Sequence, residues 1–288
     1  MALIIGGSGQ LGRELAKRLE GALLTYNSTP VEGGVRLDLT DPLVVEDLII
    51  KRRPSVIVNT AAYTDVDGCE DNRGLAYRVN TLAVRHIVRA AKLVGSYLVH
   101  VSTDYVFDGE KGDYREDDTP SPINHYGLTK LLGEAYASSY DDALIVRTSG
   151  VFGQKNNFPL VALQKLRRGE RVEAVEMWYS PIHASNLATA MVELIKRRLT
   201  GVIHVAGERV SRYELAQAIA KHIGADPGLV VRIPYTQARF KARRPRDSSL
   251  NSQKAKTMLK QPFNTLEENI RALVYNTSTA TTATRSEA

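Results

Sequence analysis

The 288-residue sequence has one cysteine, Cys69, so no disulfide can close within the chain. Its six histidines are dispersed and form no His/Cys cluster with the spacing of a metal site, so metal chemistry is not expected. No apolar run reaches the roughly 18 residues needed to span a bilayer, which excludes the membrane. Met1 leads straight into a short apolar stretch and a glycine turn. The basic start and long apolar core of a secretory signal are missing, and a cytoplasmic location is expected. A concentrated basic face is also missing. The net charge is +6, but lysine and arginine are spread among helical stretches, which argues against nucleic acid. The exception is Arg239 to Arg246 (RFKARRPR), a dense, proline-broken loop of the kind that grips phosphates, with Arg244 and Arg246 as its candidates.

What the sequence does contain is an alternation of strand and helix signals. Ala2 to Ile5 reads as an apolar strand, Gly6 to Gly12 as a glycine turn (GGSGQLG), and about Leu11 to Leu19 as a helix. Gly6, Gly9 and Gly12 leave out the side chains that would block a tight turn, a pyrophosphate and helix packing, so Gly6, Ser8, Gly9, Gln10, Leu11 and Gly12 are expected to hold a dinucleotide. The second strand, Leu23 to Tyr26, ends in Asn27, Ser28 and Thr29 where an NAD site would carry an acid. With Arg13 just past the third glycine, NADPH is favoured over NADH, and NAD stays the second choice. Ser55 to Asn59 reads as a buried strand followed by small residues that leave room for a ligand, and Asp67 to Val94 as mostly helical. Tyr97 to Val101 is the next strand and delivers Ser102 and Thr103 to the same edge.

The fold class is therefore α/β: a Rossmann-type, doubly wound parallel sheet with a smaller C-terminal substrate-binding lobe. Residues 1–150 with about 184–206 are assigned to the dinucleotide-binding domain, and 151–183 with 207–275 to the lobe. The last helix is placed at Leu266 to Tyr275, and the small polar tail 276–288 is expected to be disordered.

Within the first of these lies the stretch with chemistry in it, Val99 to Lys130. If a helix starts at Tyr126, Lys130 stands one turn on along the same face. A fixed ammonium beside a phenol favours phenolate and brings its pKa toward working pH, as an acid–base catalyst needs. Thr103 or Ser102 would hold a substrate carbonyl. The Tyr-x-x-x-Lys pair alone is unspecific; its weight comes from its company.

That company is GGSGQLG at Gly6, RPSVIVNTAAYTDVDGCE at Arg53 to Glu70, VHVSTDYVFDG at Val99 to Gly109, YGLTKLLGE at Tyr126 to Glu134, RTSGVFG at Arg147 to Gly153 and RPRDSSLNSQK at Arg244 to Lys254. In this order, over nearly the whole chain, these motifs resemble the extended short-chain dehydrogenase/reductases, and within them the dTDP-4-dehydrorhamnose reductases. The resemblance implies a catalytic trio of Thr103, Tyr126 and Lys130, with Tyr126 and Lys130 also touching the cofactor. It also implies adenine- and ribose-side contacts from Asp38, Leu39, Ala61, Ala62 and Tyr63. A nucleotide-sugar substrate would be met by Ser102, Asp104, Asn157, Ser180, Arg244 and Arg246, and a homodimer is allowed. The family commonly has tryptophan where this chain has Gly150, and an Asp-Gln-x-Gly segment where it has Glu176 to Ile182. Both lie on the sugar side. A relative with the same fold, the regulatory β subunit of methionine adenosyltransferase, supplies the alternative of a cofactor-binding interaction protein that is not an enzyme.

Overall fold

In the computed structural model residues 1–283 are described, apart from Asn156, Gln261 and Asn264. The first part of the chain runs β1 (Ala2–Ile5), α1 (Gln10–Ala16), β2 (Leu23–Tyr26), β3 (Val35–Arg36), α2 (Pro42–Arg52), β4 (Val56–Asn59), α3 (Val66–Asp71) and α4 (Arg73–Tyr77). A π-helical turn (Arg78–Leu82) then leads into α5 (Ala83–Val94), β5 (Tyr97–Thr103), α6 (His125–Ser138) and β6 (Ala143–Thr148). The remainder runs α7 (Phe158–Arg167), β7 (Val172–Val175), β8 (Trp178–Tyr179), α8 (Ala184–Lys196), β9 (Gly201–His204), β10 (Val210–Ser211), α9 (Arg212–Ile223), β11 (Val230–Ile233), α10 (Gln253–Met258) and α11 (Leu266–Ala283).

Seven strands form one parallel sheet in the order β3-β2-β1-β4-β5-β6-β9. The order reverses between β1 and β4, which is where a doubly wound sheet opens a crevice for a ligand. Both faces are covered, so the strands are largely apolar and successive residues serve opposite cores. Ile4, Val58, Val99 and Val146 pack with Leu11 and Leu15 of α1 and Leu187 and Met191 of α8. Leu3, Ile5, Ile57, Leu98 and Ile145 pack with Val45 and Ile49 of α2 and Val84, Ile87 and Val88 of α5. β9 adds to β6 in parallel at the edge of the sheet.

A separate apolar cluster joins Leu160, Leu163 and Leu166 of α7, Leu215 and Ile219 of α9, and Ile270 and Leu273 of α11. Two small two-stranded pairings sit beside it, β8 with β10 and β7 with β11. Strands this short carry little periodic signal in sequence, and these four were not expected.

The tail departs from expectation. The helix starting at Leu266 runs on to Ala283, through the first part of the segment 276–288 assigned to disorder, and 284–288 lie outside the described residues. Once a helix is nucleated by a packed first half, each further residue adds a hydrogen bond, and alanine is the best helix former. Low hydrophobicity therefore did not stop it.

Candidate active site

The carboxyl ends of the strands gather the predicted residues. The glycine turn after β1 is bare where it must be: a Cβ on Gly12 would lie 2.3 Å from the Gly6 carbonyl oxygen, and one on Gly6, at φ 87°, 2.8 Å from Ala61 N. Beyond Gly9 the space is open, the Gly6 carbonyl at 3.2 Å being the single neighbour a Cβ would meet. These residues fit a dinucleotide, because backbone N–H groups can approach a diphosphate that any side chain here would displace. Ser8 is tied through its carbonyl to Arg13 Nε at 3.0 Å, which commits Arg13 to bracing the turn. Gln10 reaches instead to Val151, Nε2 donating to its carbonyl at 2.7 Å.

Asn27 and Ser28 are exposed at the end of β2, and Arg36 on β3 is in register with Tyr26 just before them. That cation was missed in the sequence, where β3 is too short to announce itself. Asp38 is exposed, its carboxyl held below the usual range chiefly by hydrogen bonds from Thr40 N–H and hydroxyl, while Leu39 packs against the sheet core.

The loop holding Ala61, Ala62 and Tyr63 is fixed by a residue to which the sequence gave no role. Asn80, wholly buried in the π-helical turn, accepts from Tyr63 N–H at 2.8 Å and donates to the Tyr63 carbonyl and Thr129 Oγ1, both at 3.1 Å. Thr129 in turn donates to the Tyr126 carbonyl at 2.9 Å. One amide thus joins the cofactor-side loop to the helix that carries Tyr126. A π turn inside a helix often marks such a site.

Helix α6 begins where expected because the Asn124 side chain accepts from Gly127 N–H at 2.8 Å. Tyr126 therefore lies in its first turn, edge-on to Tyr105 with centroids 5.8 Å apart. Burial pushes the Tyr126 phenol well above its ordinary pKa, opposed by hydrogen bonding from Thr103, so the group is protonated at neutral pH. Lys130 is buried one turn on, its Nζ donating to the Val101 carbonyl at 2.7 Å, and burial lowers it to about 8, with Glu134 acting the other way. The tuning expected from Lys130 on Tyr126 is not what dominates here: desolvation of the phenol does. Arg147 of β6 clamps Glu134 of α6 at 2.8 Å in a buried ion pair, seating the helix on the sheet.

At the end of β5, Thr103 Oγ1 donates to Asp104 Oδ1 at 3.0 Å. Asp104 Oδ2 takes Ser149 Oγ at 2.7 Å and Ser248 Oγ at 2.5 Å. Burial raises this carboxyl to about 6, with the hydroxyls of Ser248, Ser149 and Thr103 holding it down. Ser102 is buried and its hydroxyl has no partner among the described residues.

Beside Asp104 opens a cavity of about 170 Å³ whose walls include Tyr105, Asn157, Trp178, Tyr179 and Arg212. Asn157 lines it, its Nδ2 donating to the Val151 carbonyl at 3.1 Å and its Oδ1 without a partner among the described residues. Three substrate-side candidates lie outside the cavity wall. Ser180 is fully buried behind the wall, joining Ser149 Oγ to the Leu250 backbone. Arg244 is paired with Asp67 at 2.9 Å, and Arg246 is exposed, offering its carbonyl to Trp178 N–H. Neither arginine lines the cavity; the Arg244 guanidinium is taken by Asp67, distant in sequence. Gly150, at φ 49°, stands where a Cβ would be 2.6 Å from the Tyr179 ring, so the Tyr179 side chain takes up space beside it.

Among the described residues no helix is long and apolar enough to cross a membrane, and no three His, Cys, Asp or Glu side chains are grouped to hold a metal.

Comparison with known proteins places this geometry in context. The family model described as the RmlD substrate binding domain matches residues 1–279. A dTDP-4-dehydrorhamnose reductase of Mycobacterium tuberculosis is 38% identical over 261 residues, 85% of this chain and 82% of that protein. A crystal structure described as a hypothetical dTDP-4-dehydrorhamnose reductase from Sulfolobus tokodaii is 52% identical and superposes with TM-score 0.88 over 92% of this chain and 98% of that one. The Bacillus anthracis dTDP-4-dehydrorhamnose reductase, solved in complex with NADP, is 29% identical with TM-score 0.86 over 95% and 98% of the two chains.

Proposed function

Since the chain belongs to the dTDP-4-dehydrorhamnose reductase family, we propose that it reduces the 4-keto group of a dTDP-linked 4-keto-6-deoxy hexose, dTDP-4-dehydrorhamnose to dTDP-L-rhamnose. It is an NAD(P)-dependent oxidoreductase of nucleotide sugars, with NADP as the cofactor and NAD as a second choice. The regulatory-subunit alternative is not favoured, as the relatives are named as reductases.

The observation that carries the reading is the Tyr126 phenol in the first turn of α6, within hydrogen-bonding reach of Thr103 and against Tyr105, which lines the cavity beside Asp104. NADPH, when bound across the glycine turn, supplies the hydride. Thr103, whose hydroxyl donates to Asp104 in the structure, would turn that one proton to the carbonyl oxygen when substrate binds. Tyr126 keeps a proton at its hydroxyl and gives it to that oxygen as negative charge gathers there. Lys130 brings a charge that favours phenolate after the transfer, and its donors beyond the Val101 bond suit a ribose. Gly6, Ser8, Gly9, Gln10, Leu11 and Gly12 would hold the diphosphate, and Ala61 to Tyr63 the ribose side.

We assign 1–150 with 184–206 to the cofactor and 151–183 with 207–275 to the sugar, Ala255 and Phe263 of the second set packing in the core of the sheet. Nucleotide-sugar and nicotinamide chemistry also supports a cytoplasmic site of action, and sedimentation of the purified chain tests the homodimer. The central test is Tyr126→Phe. We expect kcat for NADPH oxidation with dTDP-4-dehydrorhamnose to fall ~10²-fold or more with NADPH affinity kept. Undiminished turnover would sink the assignment.

A further inference from the structure

The cavity beside Asp104 has two charged groups in its wall, the Asp104 carboxylate and the Arg212 guanidinium. Asp104 adjoins Thr103, so the reacting carbonyl belongs at that end, and a carboxylate there repels an anion. The anionic part of the substrate must then lie elsewhere.

Arg212 is placed with care. It is the first residue of α9, and a capping box fixes where that helix begins, Ser211 Oγ accepting from Glu214 N–H at 3.0 Å and Glu214 accepting from Ser211 N–H at 2.7 Å. Its own N–H donates to the Met177 carbonyl at 3.2 Å, and its guanidinium sits 5.4 Å from the centre of the Phe158 ring. Three neighbouring arginines are already neutralised, Arg209 by Asp247 at 2.6 Å, Arg232 by Glu176 at 2.8 Å and Arg244 by Asp67 at 2.9 Å, and Arg246 is exposed and outside the cavity wall. Among the described residues Arg212 has no carboxylate partner. Two buried polar atoms on the same wall, Asn157 Oδ1 and Tyr179 Oη, also have none. A half-buried cation held by an aromatic face, next to an idle acceptor and an idle hydroxyl, has the composition of a site that waits for a ligand.

We propose that Arg212 takes the diphosphate of the nucleotide sugar, while Asn157 Oδ1 and the Tyr179 hydroxyl engage hydroxyls of the hexose between it and Asp104. The inference rests on the nucleotide-sugar reading of this site. It moves the phosphate grip from the basic loop at Arg239 to Arg246 to the start of α9. On this proposal the two opposite charges orient the substrate, neutral keto carbon toward Asp104 and diphosphate toward Arg212.

The test uses binding of dTDP, not turnover, to the NADP⁺-loaded protein by calorimetry. A charge-assisted pair is strong enough that Arg212→Gln should weaken dTDP roughly tenfold or more. Thymidine binding and NADP⁺ affinity should be unchanged, which also certifies the fold. Arg212→Lys should recover part of the loss, and the difference should shrink at high salt. Arg244→Gln should leave dTDP affinity within twofold. Equal dTDP affinity in wild type and Arg212→Gln overturns the proposal, as does a loss in Arg244→Gln alone. If Arg212→Gln instead loses only a preference for UDP-glucuronate over UDP-glucose, the arginine reads a sugar acid and the diphosphate assignment is overturned. A wild type that binds dTDP through Arg212 yet reduces no 4-keto sugar would remove the activity reading and keep this one.

Discussion

Ser248 Oγ donates to Asp104 Oδ2 at 2.5 Å, across 144 residues of chain, in a buried setting where Ser149 reaches the same oxygen at 2.7 Å. The other oxygen of Asp104 takes Thr103 at 3.0 Å. One carboxylate therefore fixes the hydroxyl that meets the substrate carbonyl and fastens it to the segment following the basic loop.

Asp104→Asn should disturb that arrangement without leaving a cavity. An amide has one acceptor oxygen, so if it serves Ser149 and Ser248 its NH₂ faces Thr103 and forces that hydroxyl to turn. We expect kcat to fall ~10-fold or more with NADPH affinity kept, since misplaced catalytic groups lose orientation. Ser248→Ala should give a smaller loss of the same kind. Steady-state kinetics on both variants checks this, and unchanged kcat in Asp104→Asn would show that Thr103 needs no such support.

The pH profile of kcat/KM should be bell-shaped. Asp104 titrates at about 6, so below that it is protonated and must donate one hydrogen bond where it had accepted three. Lys130 titrates at about 8 and is neutral above that, losing its hold on the phenolate form of Tyr126. Activity is expected to fall on both sides. Asp104→Asn should abolish the acid limb and keep the alkaline one; an acid limb that survives in that variant belongs to another group.

Gly150 and Tyr179 should be coupled. A Cβ at position 150 would meet the Tyr179 ring at 2.6 Å, on a backbone already at φ 49°. Gly150→Ala is expected to cost about 1–3 kcal/mol, as overpacking does. In a Tyr179→Ala background the steric part vanishes and the cost should drop to the strain of the left-handed backbone alone. Urea unfolding of the four proteins completes the cycle, and equal costs in both backgrounds would disprove contact between the two.

Cofactor preference should rest on charge at the end of β2. Ser28→Asp should weaken NADPH ~10-fold while sparing NADH, because a carboxylate repels the 2′-phosphate and accepts from a ribose hydroxyl. Arg36→Ala should weaken NADPH alone, by severalfold, through loss of a cation in register with Tyr26. Fluorescence titration with both nucleotides measures this. A wild-type preference for NADH would refute the reading.

What the sequence settled by itself was local. The strand, glycine turn and helix at Ala2 to Ala16 lie within one short stretch, and Tyr126 and Lys130 share a helix face because four residues make about one turn. Both follow from backbone geometry, and so did the parallel sheet, whose alternating segments have few ways to pair. Which charges are spent and which are free was not local. Arg244 stands in the densest basic run, yet Asp67 claims it; Arg212 stands outside that run and is left facing the cavity. That Asp104 also ties Ser149 and Ser248 together was not visible in the sequence, and Asn80 had no visible role until the Tyr63 loop and Thr129 closed around it. A hydrogen bond or ion pair depends on where two distant segments come to rest in low dielectric, and no periodicity along the chain encodes that meeting.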